Sequence, residues 1–249
     1  MRLLAAALLV LLGGCATTNG DARDPLEGVN RKVYAFNDKV DSWVLRPVAT
    51  GYRDWVPGEI RDRVRNFFGN LADPLIGVNN VLQGKFEDGF FDFARFAFNS
   101  TIGLFGLHDV ATDMGYEKHN EDFGQTFGRW GAGTGPYLVL PFLGSSNVRD
   151  GLGSGVDFYF DPLSELRPYR AQYALWATRL VQVRADLLDA SRILEEAALD
   201  RYTFQRDAYL QRRRNLVYDG SPPREPRSRD EEPAEEPAKE PAKEEPATK

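Results

Sequence analysis

Phe86-Glu-Asp-Gly-Phe90-Phe-Asp92-Phe-Ala-Arg95-Phe-Ala-Phe-Asn99 is the stretch on which the fold class turns. Its spacing predicts a helix. At 100° per residue, Phe86, Phe90, Phe93, Phe96 and Ala97 share one broad side, and Phe91 and Phe98 widen the apolar arc to roughly 220°. Asp88, Asp92, Arg95 and Asn99 are left on a narrow polar seam. Water penalises exposed rings at about 25 cal/mol per Å², so such a helix belongs in protein or in lipid. The seam in turn needs polar partners, because an unpaired charge in an apolar medium is costly. Two arrangements meet both demands: a pairing seam inside a core, or one wall of a polar lipid path whose outside faces acyl chains.

The flanking segments keep the helical period. Val29, Val33, Phe36, Val40, Trp43 and Val44 share one face of Val29–Val44, and Ile60, Val64, Phe67, Phe68 and Leu71 share one face of Ile60–Leu71. Asp-Pro-Leu occurs at Asp24, Asp73 and Asp161, and reads each time as a helix start, with Asp capping the first turn and Pro at the first helical position. At the first of these, Glu27 would complete a capping box. Period-2 alternation is scarce, and Tyr137–Phe142 is the one extended piece expected. No stretch after residue 14 holds 18 apolar residues in a row, so no transmembrane helix is expected. The body reads as all-α.

The N-terminus adds a membrane context. Arg2 and the apolar run Leu3–Leu12 form a signal peptide, residues 1–14, and Leu12-Gly13-Gly14-Cys15 matches a lipobox in which Cys15 accepts the diacylglycerol. Acyl chains contribute roughly 0.8 kcal/mol per buried methylene, so the anchor is effectively permanent. Ala16 stands where an Asp would favour inner-membrane retention, so the outer membrane is the expected address. The tether, residues 15–23, reaches about 30 Å at full stretch, which keeps the folded body, residues 24–220, beside its own membrane. Residues 221–249 run in Glu, Lys, Pro and Ala with no larger aliphatic and no aromatic side chain, and read as a disordered tail.

Composition narrows the function. The chain has 249 residues, a net charge of −6, two His and one Cys, which argues against nucleic acid, a metal centre, a thiol cofactor or a disulfide. No cofactor is expected. Ser146 and Ser154 do not stand in Gly-x-Ser-x-Gly, and His108 and His119 lack a serine and carboxylate framework, so no enzyme is expected. The acid pairs Asp109/Asp113 and Glu121/Asp122 read as solvated faces.

The most distinctive run extends from Gly131 to Asp150. A dinucleotide reading fails, because Gly131, Gly133 and Gly135 lead into Pro136 and an apolar stretch, not into a helix N-terminus. A hairpin-like loop fits better: glycine hinges, with Gly144 at the far end, flank a stiff arm of Pro136, Tyr137, Pro141 and Phe142. It could pack on the core, or act as a movable gate or partner-facing arm.

These residues, with others along the body, resemble the VacJ/MlaA family of outer-membrane phospholipid-handling lipoproteins. The likeness is carried by Asp24-Pro25-Leu-Glu-Gly-Val-Asn30-Arg31, Tyr34-Ala-Phe36-Asn37, Arg46-Pro47-Val48, Arg53-Asp54-Trp55-Val56-Pro57 and Asn66-Phe-Phe-Gly-Asn70-Leu71. Pro74, Asn79, Gln83-Gly84, Arg95-Phe96, Asn99–Gly103, Asp109-Val-Ala, Phe123–Gly128, and Gly135-Pro-Tyr through Arg149-Asp150 complete it. The resemblance implies a helical ring in the inner leaflet of the outer membrane with an amphipathic channel. It also implies a trimeric porin as neighbour and a periplasmic carrier protein that receives phospholipid extracted from the outer leaflet. A passive, porin-associated structural lipoprotein is the alternative. The Glu/Lys/Pro-rich tail departs from the family pattern, and no role transfers to it.

Overall fold

The structure, a computed structural model, describes residues 21–223. Cys15, the signal peptide, most of the tether and the tail from residue 224 lie outside the described residues. Helix α1 (Glu27–Val40) continues through a π-helical segment (Asp41–Leu45) into α2 (Arg46–Trp55). Helices α3 (Gly58–Leu82) and α4 (Phe86–Thr101) follow as an antiparallel pair, then the short α5 (Val110–Asp113) and α6 (Phe123–Arg129). Strands β1 (Tyr137–Leu140) and β2 (Gly144–Asn147) pair antiparallel, Tyr137 opposite Asn147. The chain ends in α7 (Val148–Phe160), a 3-10 turn (Pro162–Glu165), α8 (Tyr169–Asp186), α9 (Leu188–Ala197) and α10 (Arg201–Val217).

Packing closes these elements into a circuit. The π segment joins α1 to α2, α2 packs on α8, α8 on α3, α3 on α6, α6 on α10, α10 on β2, and β1 returns to α1. The expected all-helical ring is therefore present, with one small sheet. Among the described residues no helix is long and apolar enough to cross a membrane.

Glycines let two helix pairs approach closely. A Cβ at Gly89 would stand 2.7 Å from Val81 Cγ2 and 2.9 Å from the Gly77 carbonyl, so α3 and α4 meet on glycine. A Cβ at Gly153 would fall 2.3 Å from the Gly124 nitrogen, so α6 and α7 meet the same way.

Two of the three expected helix starts are corrected. Asp73-Pro74 lies inside the 25-residue α3, not at its beginning. Proline in a helix interior costs about 3 kcal/mol, and here packing of both halves of α3 along α4 outweighs it. Asp24 caps nothing. Its carboxylate turns inward to Asn30 and Tyr202, and Glu27 pairs with Arg31 at 2.7 Å instead of closing a capping box. Only Asp161 behaves as expected, accepting from the Leu163 nitrogen at 2.8 Å.

Burial runs opposite to a water-soluble globule. Among the described residues the buried set is richer in polar and charged side chains than in apolar ones, while Trp55 is 90% exposed, Phe105 79% and Phe90 66%. Large apolar side chains turn outward on α1, α2, α4, α7 and α8. An outer surface this apolar needs an apolar phase or a partner to cover it.

Candidate functional site

The seam of α4 folds inward. Asp92 is fully buried; its Oδ2 accepts from Asn80 Nδ2 at 2.7 Å and its Oδ1 meets His119 Nδ1 at 2.9 Å. Arg95, 2% exposed, sets Nη2 against both oxygens of Asp109 at 2.9 Å and donates from Nη1 to Thr112 and the Tyr116 carbonyl. Asn99 donates to Asp109 and accepts from the Ala111 nitrogen, both at 2.9 Å. Burial pushes the Asp109 carboxyl up, but bonds from Thr112, Asn99 and Arg95 win and bring it down to about 2. Asp88 stays near the surface, 3.8 Å from His119 Nε2. These contacts stitch α4 to α3 and to the 109–119 loop.

The residues that carried the family likeness form a second set of pins. Asn30 works as a strand edge. Its Nδ2 donates to the Tyr137 carbonyl at 3.0 Å and to Asp24 Oδ1 at 2.8 Å, and its Oδ1 accepts from the Val139 nitrogen at 2.9 Å. One helical heptad later, Asn37 does the same for the Leu140 carbonyl and the Phe142 nitrogen, each at 2.9 Å. The outer edge of β1 is thus paired with side chains of α1 and not left open. Phe36 meets Phe142 edge-on at 5.3 Å. Pro25 stands in the turn before α1, and Arg31 reaches Asp200 at 2.7 Å while lying over the Tyr202 ring.

Asp150 ties the hairpin to α10. It accepts from Asn147 at 2.6 Å, Tyr209 at 2.7 Å and Arg213 at 2.8 Å, with Arg149 beside it. Arg213 also grips Asp122 with two bonds, at 2.6 and 2.8 Å. Burial alone would raise both carboxyls, and Arg213 holds both below the usual range. The sequence reading of Asp109 and Asp122 as solvated is corrected: each is the anionic half of an inter-element ion pair, because the arginines it meets are distant in sequence.

The Gly131–Gly144 run is a hairpin, with Gly131, Gly135 and Gly144 at positive φ and Gly133 not. Tyr137 is buried in the small apolar cluster with Val139 and Tyr202, Pro136 accepts from the Val148 nitrogen at 3.2 Å, and both the lead-in, residues 131–136, and the Pro141-Phe142-Leu143 tip stand exposed. Phe142, at φ 64°, occupies the left-handed region that favours glycine.

Beneath that tip opens a cavity of about 560 Å³, inside the range of about 300–1,000 Å³ common for small-molecule sites. Val40, Val44, Val139, Phe142, Leu180 and Val183 give it apolar walls, and Gly144 lies at its edge. Asp41, Arg46, Arg184 and Glu195 form a charged margin. Arg184 clasps Asp41 with bonds of 2.6 and 2.8 Å, and Arg46 pairs with Glu195. Burial would raise the Asp41 carboxyl, yet Arg184 keeps it below its ordinary value. None of the four seam residues of α4 lines this cavity. Of its charged margin, Asp41 and Arg46 fell in segments singled out from sequence. Arg184 and Glu195 sit on helices whose contribution carried no motif.

Polar inside, apolar outside, and hollow beside a charged margin, the body defines a class: a helical ring with an apolar outer surface, a polar interior and one amphipathic cavity. Its relatives are consistent with that class. The profile of the MlaA lipoprotein family matches residues 22–216. The intermembrane phospholipid transport system lipoprotein MlaA of Escherichia coli (strain K12) is 40% identical over 220 residues, 85% of this chain and 87% of its own. The Haemophilus influenzae protein of the same name is 30% identical over 220 residues, covering 85% and 88%. A solved chain described under "structural basis for maintenance of bacterial outer membrane lipid asymmetry" superposes with a TM-score of 0.68 at 38% identity, covering 78% of this chain and 98% of that one. The chain belongs to the MlaA lipoprotein family.

Proposed function

We propose that this protein is the outer-membrane lipoprotein of an intermembrane phospholipid transport system. Anchored through Cys15 with its body in the inner leaflet, it takes phospholipid misplaced in the outer leaflet and passes it to a periplasmic carrier, beside a trimeric porin. The amphipathic cavity under the hairpin tip carries this reading. A phospholipid crosses a bilayer slowly because its charged head would enter hydrocarbon at a cost of several kcal/mol or more. Charged groups at the margin shelter the head, while chains follow the valine, leucine and phenylalanine wall. The exposed rings of α2 and α4 suit burial among acyl chains. No chemical step is required. The seam of Asp88, Asp92, Arg95 and Asn99 serves the path from beside it, by fixing α4.

The Pro141–Leu143 tip is the movable gate: Asn30 and Asn37 hold the β1 strand behind it, and opening releases the Phe142 nitrogen from Asn37 and the Phe142 ring from Phe36. A cross-link between positions 36 and 142 should stop transport, and normal transport through the locked protein would reject gating.

The decisive measurement is outer-leaflet phospholipid in cells with the intact gene, without it, and with Val183→Trp, which fills the cavity wall. Accumulation in both altered strains is expected. If the Trp variant keeps the leaflet clear, the cavity is not the path. If deletion itself leaves the lipid unchanged while the protein still binds porin, the passive structural role replaces transport.

A further inference from the structure

A smaller pocket of about 180 Å³ opens between α2, α8 and α9, lined by Arg46, Thr50, Arg53, Arg184, Ser191 and Arg192 together with Asp189 and Glu195. Arg46, Arg184, Ser191 and Glu195 also line the apolar cavity, so the two spaces adjoin across these side chains. We propose that this pocket is a phosphate subsite, holding the phosphodiester of a glycerophospholipid whose chains occupy the adjoining cavity; the assignment rests on the lipid-handling reading above.

Charge comes first. Four guanidiniums, of Arg46, Arg53, Arg184 and Arg192, face the pocket against two carboxylates in its lining, Asp189 and Glu195. Geometry divides the four into two kinds. Arg184 and Arg46 are fixed by their carboxylates, and Nη1 of Arg184 ends on Ser191 Oγ at 3.2 Å. Arg53 is loosely held, 3.3 Å from Asp54 and 3.3 Å from an Asp189 side chain that is 80% exposed. Arg192 lies 3.8 Å from its nearest carboxylate, Glu196. Two arginines thus shape the site and two are free to turn onto an incoming anion. The guanidinium fork suits phosphate oxygens with paired, charge-assisted bonds, and the Thr50 and Ser191 hydroxyls add neutral donors. The volume is several times the roughly 30 Å³ that a water molecule takes in the liquid, which leaves room for a phosphate group. The apolar cavity beside it has the wrong polarity for such a head and the right one for what the head carries.

The test uses the full-length lipoprotein in amphipol, with binding measured for dihexanoylphosphatidylglycerol and for dihexanoylglycerol, which lacks the phosphate. The phosphate-bearing lipid should bind at least about tenfold more tightly, and inorganic phosphate should compete with it but not with dihexanoylglycerol. The double variant Arg53→Gln/Arg192→Gln touches no buried partner; it should bring the preference below about threefold and leave dihexanoylglycerol affinity unchanged. Equal affinities in the intact protein overturn the subsite while the lipid cavity stands. Binding of neither lipid overturns both. A preference that survives in the double variant, or a lack of competition by phosphate, overturns the assignment to these arginines.

Discussion

Asn30→Asp is the sharpest probe of the frame that holds the hairpin. The substitution is isosteric, and it keeps the oxygen that accepts from the Val139 nitrogen. It replaces the Nδ2 donor, however, with a second oxygen facing Asp24 Oδ1 at 2.8 Å and the Tyr137 carbonyl at 3.0 Å. Two attractive contacts become repulsive. Two charges at that separation repel by about 6 kcal/mol at an effective dielectric near 20. Arg206, 3.6 Å from Asp24, already serves that carboxylate and offsets only part. The site has a cheaper escape, which is to bind a proton and restore the donor. Protonating a carboxyl of ordinary pKa near 3.9 at pH 7 costs about 4 kcal/mol, and this sets the expected loss. Because the new carboxyl is raised in the folded state, the folded form binds the extra proton. The penalty is therefore absent below the unfolded pKa and grows as pH rises through about 4 toward 7. Thermal unfolding followed by circular dichroism should show a Tm lower by about 8–16 °C at pH 7 and nearly equal to the parent at pH 4. A Tm within about 2 °C of the parent at pH 7, or a deficit that persists at pH 4, would refute the role assigned to Asn30.

Three further outcomes follow from the packing. Burial pushes the Asp157 carboxyl up to about 6, so Asp157→Asn, which can still accept from the Phe123 nitrogen, should stabilise by about 3 kcal/mol at pH 7.5. That gain should shrink to about 0.5 kcal/mol at pH 4 and vanish near pH 3, below the unfolded pKa, where both folded and unfolded forms of the parent are protonated, and a gain independent of pH would exclude the explanation. Gly153→Ala would place a Cβ 2.3 Å from the Gly124 nitrogen. Overpacking exceeds the helix-propensity gain there by about 2 kcal/mol, lowering Tm by several degrees, and an unchanged or raised Tm would show that α6 and α7 part freely. Phe90 is 66% exposed on α4. Returning about two-thirds of a ring of ~200 Å² to water costs about 3 kcal/mol at ~25 cal/mol per Å². Phe90→Ser in a non-acylated Cys15→Ser background should therefore weaken vesicle partitioning roughly a hundredfold if this face meets lipid, and undiminished partitioning would mean it does not.

Much of the architecture was legible one element at a time. Helices around Val29–Val44, Ile60–Leu71 and Phe86–Asn99 are where the period of 3.6 puts them, and the extended piece at Tyr137 is a strand. The misreadings share one cause: each judged an acidic residue by its neighbours along the chain. Asp24, Asp73, Asp109 and Asp122 look like caps or solvated acids from there, yet each meets a cation delivered by a segment 14 to 182 residues away.

By itself the sequence determined which stretches are helical and that the polar side of α4 is too narrow for water and must be paired or sheltered. Local periodicity and composition carry that information, since they depend on residues a few positions apart. Only the tertiary structure decided that the seam is filled by protein partners, that asparagines of α1 complete the edge of β1, and that α2, α8 and α9 bring four arginines to one pocket beside an apolar hollow. The partners of the buried seam residues arrive from 10 to 27 positions away, on the neighbouring helix and loop. The other two outcomes depend on ring closure, which joins residues more than a hundred positions apart; no local pattern encodes which side chain arrives on the far side.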